Sequence, residues 1–304
     1  MSVTVRVPAK VNLHLGVGHT REDGYHELVT AFQAVSLHDT VEARPAAELQ
    51  LTVAGSDTGG VPVGPDNLAA RAAVMLADRL GTRPRVHLHI DKRIPVAGGM
   101  AGGSADAAAA LVACAHLYGA DAAHPAVAAC AEELGSDVPF ALFGGNALGT
   151  GRGEKLTRLP DGGTFHWVFA QAHTGLSTPV VFREFDRLAA PAPDPAAPDR
   201  LASVLAAGDA AGLAPLLRND LQAAALRLRP ELGSVLRLGT SAGALGGILC
   251  GSGPTCAFLV GSAPAADGLA RALDGSGQCR AVHTATGPVP GATVSATFVS
   301  EGAA

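Results

Sequence analysis

The chain has 304 residues, 48% of them hydrophobic, and a formal net charge of −5 at pH 7. It can bury a sizeable core, and it lacks the basic stripe that a nucleic-acid surface needs. The five cysteines, Cys114, Cys130, Cys250, Cys256 and Cys279, are odd in number, show no C-x-x-C and mostly sit in apolar runs. That argues against a disulfide framework or a zinc site and for a reducing, cytoplasmic setting. The first residues alternate like a strand instead of forming a charged region ahead of an apolar core, so no leader to be cleaved is read there. The longest apolar stretch, residues 107–115, is too short to span a membrane.

Residues 3–17 alternate almost without a break, with Val3, Val5 and Val7, then Val11, Leu13, Leu15 and Val17, around Pro8-Ala9. This predicts one bent strand or two consecutive strands. Because the side-chain period is two, Lys10, Asn12, His14 and Gly16 share the opposite face. That face is either the wet side of an antiparallel strand or a place where a lysine and an asparagine point together. A polar loop, residues 19–26, turns at Asp23-Gly24 and ends in Tyr25-His26. The pair is either surface decoration or an aromatic face with an adjacent hydrogen-bonding ring, suited to a flat heterocycle. Apolar residues 28–37 lead to Asp39, and further strands fall near residues 40–43 and 49–53.

Asp66 or Asn67 caps a helix whose stripe runs through Leu68, Ala72, Met75, Leu76 and Leu80, closed by Gly81. Val86, Leu88 and Ile90 then alternate with Arg85, His87 and His89 as a half-buried strand. It leads into the glycine-rich run 93–106, and a helix is predicted from Ala105 to Tyr118, with Ser104 at its N-cap and Gly119 after its end. Gly98, Gly99, Gly102 and Gly103 are free to take positive φ. Strand, glycine loop, helix is an arrangement that suits a phosphate at a helix N-terminus, or a tight turn that lets a helix pack closely on a sheet. The spacing matches neither G-x-x-x-x-G-K-[ST] nor G-x-G-x-x-G.

A short helix over residues 125–134 ends at Gly135 and gives way to Ser136-Asp137-Val138-Pro139. An acid between a helix end and a proline is a turn residue or a rigid mount for a carboxylate. Glycines recur over 143–153, and a domain boundary is placed after residue 157. Beyond it, residues 167–170 read as a core strand, 177–185 as a turn entering a helix and 189–199 as a mobile proline and alanine loop. Helical patterns follow at 201–206, 213–217, 220–228 and 232–238. Gly251-Ser-Gly-Pro-Thr255 lies between two apolar strand segments, as a hairpin turn or as backbone pressed against the first glycine loop.

Taken together, Pro95-Val-Ala-Gly-Gly-Met-Ala-Gly-Gly-Ser-Ala105, the early lysine strand and Gly251-Ser-Gly-Pro-Thr255 resemble the GHMP superfamily, named for galactokinase, homoserine kinase, mevalonate kinase and phosphomevalonate kinase. Pro8-Ala-Lys-Val-Asn-Leu13, Asp23-Gly-Tyr-His-Glu27, Gly135-Ser-Asp-Val-Pro-Phe140 and Ser177-Thr-Pro-Val-Val-Phe182 narrow the resemblance. They point to the branch that phosphorylates a cytidine diphosphate-linked methylerythritol in non-mevalonate isoprenoid biosynthesis. The resemblance implies an α+β, two-domain GHMP-kinase fold. Residues 1–157 would form a ribosomal-protein-S5-like domain that binds ATP, and 158–304 a ferredoxin-like domain that completes the substrate site. It places the ATP phosphates on Pro95, Val96, Ala97, Gly98, Gly99, Met100, Ala101, Gly102, Gly103, Ser104 and Ala105.

By the same resemblance Lys10 and Asp137 are catalytic, and Tyr25 and Phe182 flank a cytosine ring whose edge His26 bonds. Asn12 and Thr178 help hold the substrate. ATP brings Mg2+, for which Ser104 and Asp106 are the candidate ligands. Two departures stand out. Met100-Ala101 replaces leucine and glycine, which requires negative φ at the alanine, and Ala105 replaces a second serine. Phosphoryl transfer asks for positioning, charge stabilisation and one group to accept the hydroxyl proton, roles that fit Lys10 and Asp137. A homoserine or mevalonate kinase would share the loop but need no base pocket. A dinucleotide-dependent oxidoreductase would want an acid about 20 residues after the loop at a strand end, whereas Asp121 follows a helix. A non-catalytic nucleotide-binding relative would lack the lysine or the acid, and both are present.

Overall fold

The computed structural model describes residues 2–55, 58–188 and 195–298 and arranges them as two sheets with helices packed on them. In the first sheet β1 (Ser2–Thr20) and β2 (His26–Pro45) are long antiparallel neighbours. β4 (Val86–Lys92) pairs with β2, and β3 (Gln50–Gly55) lies parallel to β4. β5 (Asn146–Thr150) pairs with β2 and with β6 (Lys155–Leu159). Two later strands return to this sheet, because β8 (Arg218–Asn219) and β12 (Thr293–Phe298) both pair with β1. The second sheet is antiparallel throughout, in the order β11 (Ala281–Gly287), β7 (Phe165–Gln171), β10 (Cys256–Val260), β9 (Gly246–Leu249).

β1 is one strand, kinked by a register shift between Pro8 and Ala9. From Val7 to Gly18 every residue is buried, so the face with Lys10, Asn12 and His14 is not a wet face. α1 (Leu68–Arg79) starts at Asn67, whose side chain accepts from the Ala69 N–H at 2.8 Å. It packs beside α2 (Gly102–Leu117), which also lies on β1 and β2. Residues 105–115 of α2 are all buried, and alanine at most of these positions lets the helix approach its neighbours on every side. Asp106 is the one acid in that buried run.

α3 (Pro125–Leu134) leads into α4 (Val138–Phe143), a helix the sequence pattern did not distinguish from a turn. On the other side of the chain follow α5 (Thr178–Leu188), α6 (Leu201–Ala207), α7 (Ala210–Leu213), α8 (Gln222–Leu228), α9 (Glu231–Ser241) and α10 (Ala263–Gly275). A cut after residue 157 falls inside β6, and we propose the turn at residues 160–164, before β7, as the domain boundary. Most of the proline and alanine loop expected over 189–199 lies outside the described residues. Pro195 packs on β1, where a Cβ added at Gly16 or Gly18 would come within 2.8 Å of it. Among the described residues no helix is long and apolar enough to cross a membrane.

Candidate active site

The glycine loop is fastened at its entry. Asp39 of β2, fully buried, accepts the backbone N–H groups of Arg93 at 2.5 Å and Ile94 at 2.8 Å through Oδ1. Its Oδ2 accepts from Lys92 Nζ, which also donates to Asp106 Oδ2 at 2.8 Å. One buried ammonium therefore ties the end of β4 to β2 and to α2. Burial works against the charge on Lys92, but Asp106 and Asp39 outweigh it and hold its pKa above the ordinary lysine value. Burial pushes the Asp106 carboxyl well above the usual carboxylate range, against the pull of Lys92.

Within the loop φ is positive at Ala97 (53°), Gly99 (76°) and Ala101 (62°). Left-handed residues alternate with ordinary ones, an arrangement that turns successive backbone N–H groups toward one concavity and suits an anion. This corrects three expectations. Gly98, Gly102 and Gly103 do not use positive φ, and Ala101 does, at a cost of about 1–2 kcal/mol for a non-glycine residue. The N-cap of α2 is Ala101, without a side-chain cap, and Ser104 lies inside the first turn. Gly119 takes φ 78° just past the helix end, as its position predicts.

The second glycine cluster is both a hairpin turn and a pressed surface. It joins β9 to β10, and a Cβ added at Gly99 would lie 2.0 Å from the Cys250 carbonyl oxygen. Asn219 holds this turn by donating to the carbonyls of Leu249 (2.9 Å) and Gly251 (2.7 Å). Burial pushes the Cys250 thiol up to about 12, so it stays protonated although Lys10 pulls the other way.

Lys10 and Asn12 do point together. Lys10 Nζ donates to Asn12 Oδ1 at 2.7 Å, Asn12 Nδ2 to Thr30 Oγ1 at 2.8 Å, and Thr30 Oγ1 to the His14 carbonyl at 2.9 Å. The ammonium also sits 5.6 Å from the centre of the Phe32 ring, and the Lys10 N–H donates to the Met100 carbonyl at 3.3 Å. Asp137 stands at the start of α4 and makes no capping bond to it. Lys10, Asn12, Asp137 and the loop line one cleft of about 550 Å³, which continues to Thr178, Phe182 and Arg152. Among the described residues no ion pair joins Lys10 to Asp137.

The far end of the cleft departs from the expected sandwich. His26 stacks on Phe182 itself, with ring centres 5.1 Å apart and planes at 24°. Its Nδ1 faces the Gly18 carbonyl at 3.0 Å and its Nε2 faces Asp186 at 3.2 Å, so its ring edge is engaged within the protein. Tyr25 is 55% exposed and carries the Arg152 guanidinium over its ring at 5.1 Å. Thr178 bonds Ser252 of the second glycine turn at 2.7 Å. Thr30, Phe32, Lys92 and Arg152 were not visible as site residues in the sequence, since the pairing of β2 with β1 brings Thr30 and Phe32 to the cleft, the end of β4 brings Lys92, and the turn after β5, which pairs with β2, brings Arg152.

Among the described residues no three His, Cys, Asp or Glu side chains are grouped to hold a metal. Asp106 lines the cleft, and its buried Oδ1, without a hydrogen-bond partner, is a hard oxygen of the kind that suits Mg2+ held chiefly by nucleotide phosphates and water. Ser104 lies two residues before it in the first turn of α2 and is half-buried.

Residues 67–145 match the family described as GHMP kinases N terminal domain, and residues 201–278 match GHMP kinases C terminal. A 4-diphosphocytidyl-2-C-methyl-D-erythritol kinase of Streptomyces coelicolor is 58% identical over 97% of this chain and 99% of its own length. One of Mycobacterium tuberculosis is 54% identical over 96% of this chain and 93% of its own. A crystal structure of a 4-(cytidine 5'-diphospho)-2C-methyl-D-erythritol kinase superposes with a TM-score of 0.75 at 34% identity, covering 93% of this chain and 98% of that one. Homoserine kinase from Cytophaga hutchinsonii shares the fold, with a TM-score of 0.72 at 19% identity over 96% and 97% of the two chains. With both halves matched and near-identical length, this chain is an ATP-dependent GHMP kinase and belongs to the family of the 4-diphosphocytidyl-2-C-methyl-D-erythritol kinases.

Proposed function

We propose that the chain transfers the γ-phosphoryl group of ATP to the 2-hydroxyl of 4-diphosphocytidyl-2-C-methyl-D-erythritol, a step of non-mevalonate isoprenoid synthesis in the cytoplasm. The observation that carries this reading is the single cleft. An anion-binding loop lines one end, Lys10 and Asp137 the middle, and an aromatic and cationic wall of Phe182 and Arg152 the other. Full-length relatives named for that substrate support it.

In this reading the loop amides of residues 95–105 hold the ATP phosphates, aided by the N-terminus of α2. Mg2+ would be faced by Asp106 and Ser104 and supplies charge neutralisation on the phosphates when bound. Asp137 takes the proton of the attacking hydroxyl. Lys10, steadied by Asn12, offsets charge developing on the transferred group with the N–H donors that Asn12 does not use. Phe182 stacks the base, buttressed on its other face by His26, while Tyr25 closes from the exposed side and Thr178 fixes the hydroxyl-bearing half. Arg152, beside Tyr25, is suited to the diphosphate.

The test is phosphate transfer from ATP with Mg2+, offered 4-diphosphocytidyl-2-C-methyl-D-erythritol, homoserine and mevalonate in parallel. Turnover of the cytidine compound alone is expected. Turnover of either other alcohol with none of the cytidine compound overturns the substrate and leaves the kinase.

A further inference from the structure

At the far end of the cleft, His26 is held on both edges by groups that only accept hydrogen bonds. Its Nδ1 lies 3.0 Å from the Gly18 carbonyl oxygen and its Nε2 lies 3.2 Å from Oδ1 of Asp186. A neutral imidazole has one N–H and one bare lone pair, so it serves only one of these acceptors. Both contacts are satisfied together by the imidazolium, which carries a proton on each nitrogen. The ring is then fixed in one orientation, its side chain 9% exposed, stacked on Phe182 at 5.1 Å and at right angles to Phe185 at 5.9 Å. A cation against the face of a phenyl ring adds electrostatic attraction to that stack.

Phe182 lines the cleft and His26 and Asp186 do not, so the order from the cleft outward is Phe182, His26, Asp186. Among the described charged residues of α5, Asp186 is the one paired with the ring: Glu184 is taken by Arg187 and Arg227, and Arg183 is exposed. On the other sides, Asp23 and Glu27 pair with Arg21, Arg152 lies over Tyr25, and His19 follows Gly18 on β1. We propose that Asp186 is a positioning residue for the substrate: it holds His26 as the imidazolium, and the clamped ring backs Phe182 as a firm platform for the base. The inference rests on the reading of Phe182 as that platform. When His26 loses its proton, Nε2 turns a lone pair on a carboxylate, the ring is released on that side and the platform loosens. A face ordered in advance binds more tightly than one that must be ordered on binding.

The experiment is equilibrium binding of 4-diphosphocytidyl-2-C-methyl-D-erythritol to the full chain, by calorimetry, at about pH 6 and about pH 8.5, on either side of a histidine's usual change of charge. Wild-type affinity should fall about three- to fivefold across that range, the scale of a partly exposed ion pair. Asp186→Asn offers Nδ2 to the lone pair of a neutral ring and Oδ1 to the N–H of a charged one. Its affinity should therefore stay near the wild-type value of the acid side and hardly change with pH. Asp186→Ala should bind weakly at both. The Asp186 side chain is 50% exposed, and ATP binding at the other end of the cleft reports that each variant is folded. The difference between wild type and Asp186→Asn cancels titrations elsewhere, His19 included. An asparagine variant that follows the wild-type pH dependence, or an alanine variant that binds as the wild type does, overturns the proposal. So does tighter binding by either variant, which would make the carboxylate a competitor for the base. Phe182→Ala separates the two readings: if it binds the cytidine compound as tightly as the wild type, the base does not rest on Phe182 and the reading beneath the proposal falls.

Discussion

Asp137 and Lys10 act at the scale of single atoms, and their substitutions separate two roles. Asp137→Asn keeps the size of the side chain and the start of α4 but removes the proton acceptor, so turnover should fall about 10²- to 10⁴-fold with ATP affinity retained. Single-turnover phosphate transfer beside a binding isotherm checks this, and near-normal turnover would take Asp137 out of the base role. The loop glycines and alanines give a second residue-scale contrast. Gly99→Ala puts a Cβ 2.0 Å from the Cys250 carbonyl, where backbone on both sides resists movement, and should abolish ATP binding. Ala101→Gly goes the other way. It removes left-handed strain of about 1–2 kcal/mol and adds unfolded-chain freedom of about 0.4–1 kcal/mol, so the melting temperature should hold or rise slightly. A sharp fall in melting temperature for Ala101→Gly would contradict the observed backbone.

At the scale of elements, the strand, loop and helix behave as one unit because Lys92, Asp39 and Asp106 join them under the loop. Lys92→Met leaves two buried carboxylates without their cation and should cost about 3–5 kcal/mol, read as a lowered midpoint in urea unfolding. A loss under about 1 kcal/mol would mean that the loop is held by its backbone alone. Much of this unit was legible. The alternation of Val86, Leu88 and Ile90 marked β4, Asn67 marked the start of α1, and Gly119 marked the end of α2. What was not legible depended on partners far away in the chain. Burial of Lys10 and Asn12 comes from packing on both faces of β1, which an alternating pattern reads as one wet side. Ser104 looks like a cap, but Ala101 takes the left-handed position and starts the helix three residues sooner. His26 stacks on Phe182 because α5 comes down on the end of β2, a contact between residues 156 positions apart in sequence that no local signal encodes.

Across the whole molecule, burial holds His14 and His283 below the ordinary histidine pKa of 6.5, with Arg218 adding to the effect at His14. The unfolded chain then binds protons that the folded chain refuses, so as pH falls below about 6.5 these groups draw stability away. His14→Gln should therefore lose less melting temperature than the wild type between about pH 7.5 and about pH 5.5. Equal losses would show that His14 carries no such linkage. The difference between the two proteins cancels the opposing contribution of Asp106, whose raised pKa favours the folded state in acid. One feature of the first sheet reaches beyond the finished fold. β1 lies between β2 and β12, and β12 is made of residues 293–298. The edge of β1 away from β2 therefore stays bare until residues 218–219 of β8 reach its residues 14–15 and residues 293–298 of β12 reach its residues 2–6. Such an edge is a template for pairing with other chains. A chain stopped before residue 293 would leave residues 2–6 of that edge unpaired and would be the species most in need of a chaperone.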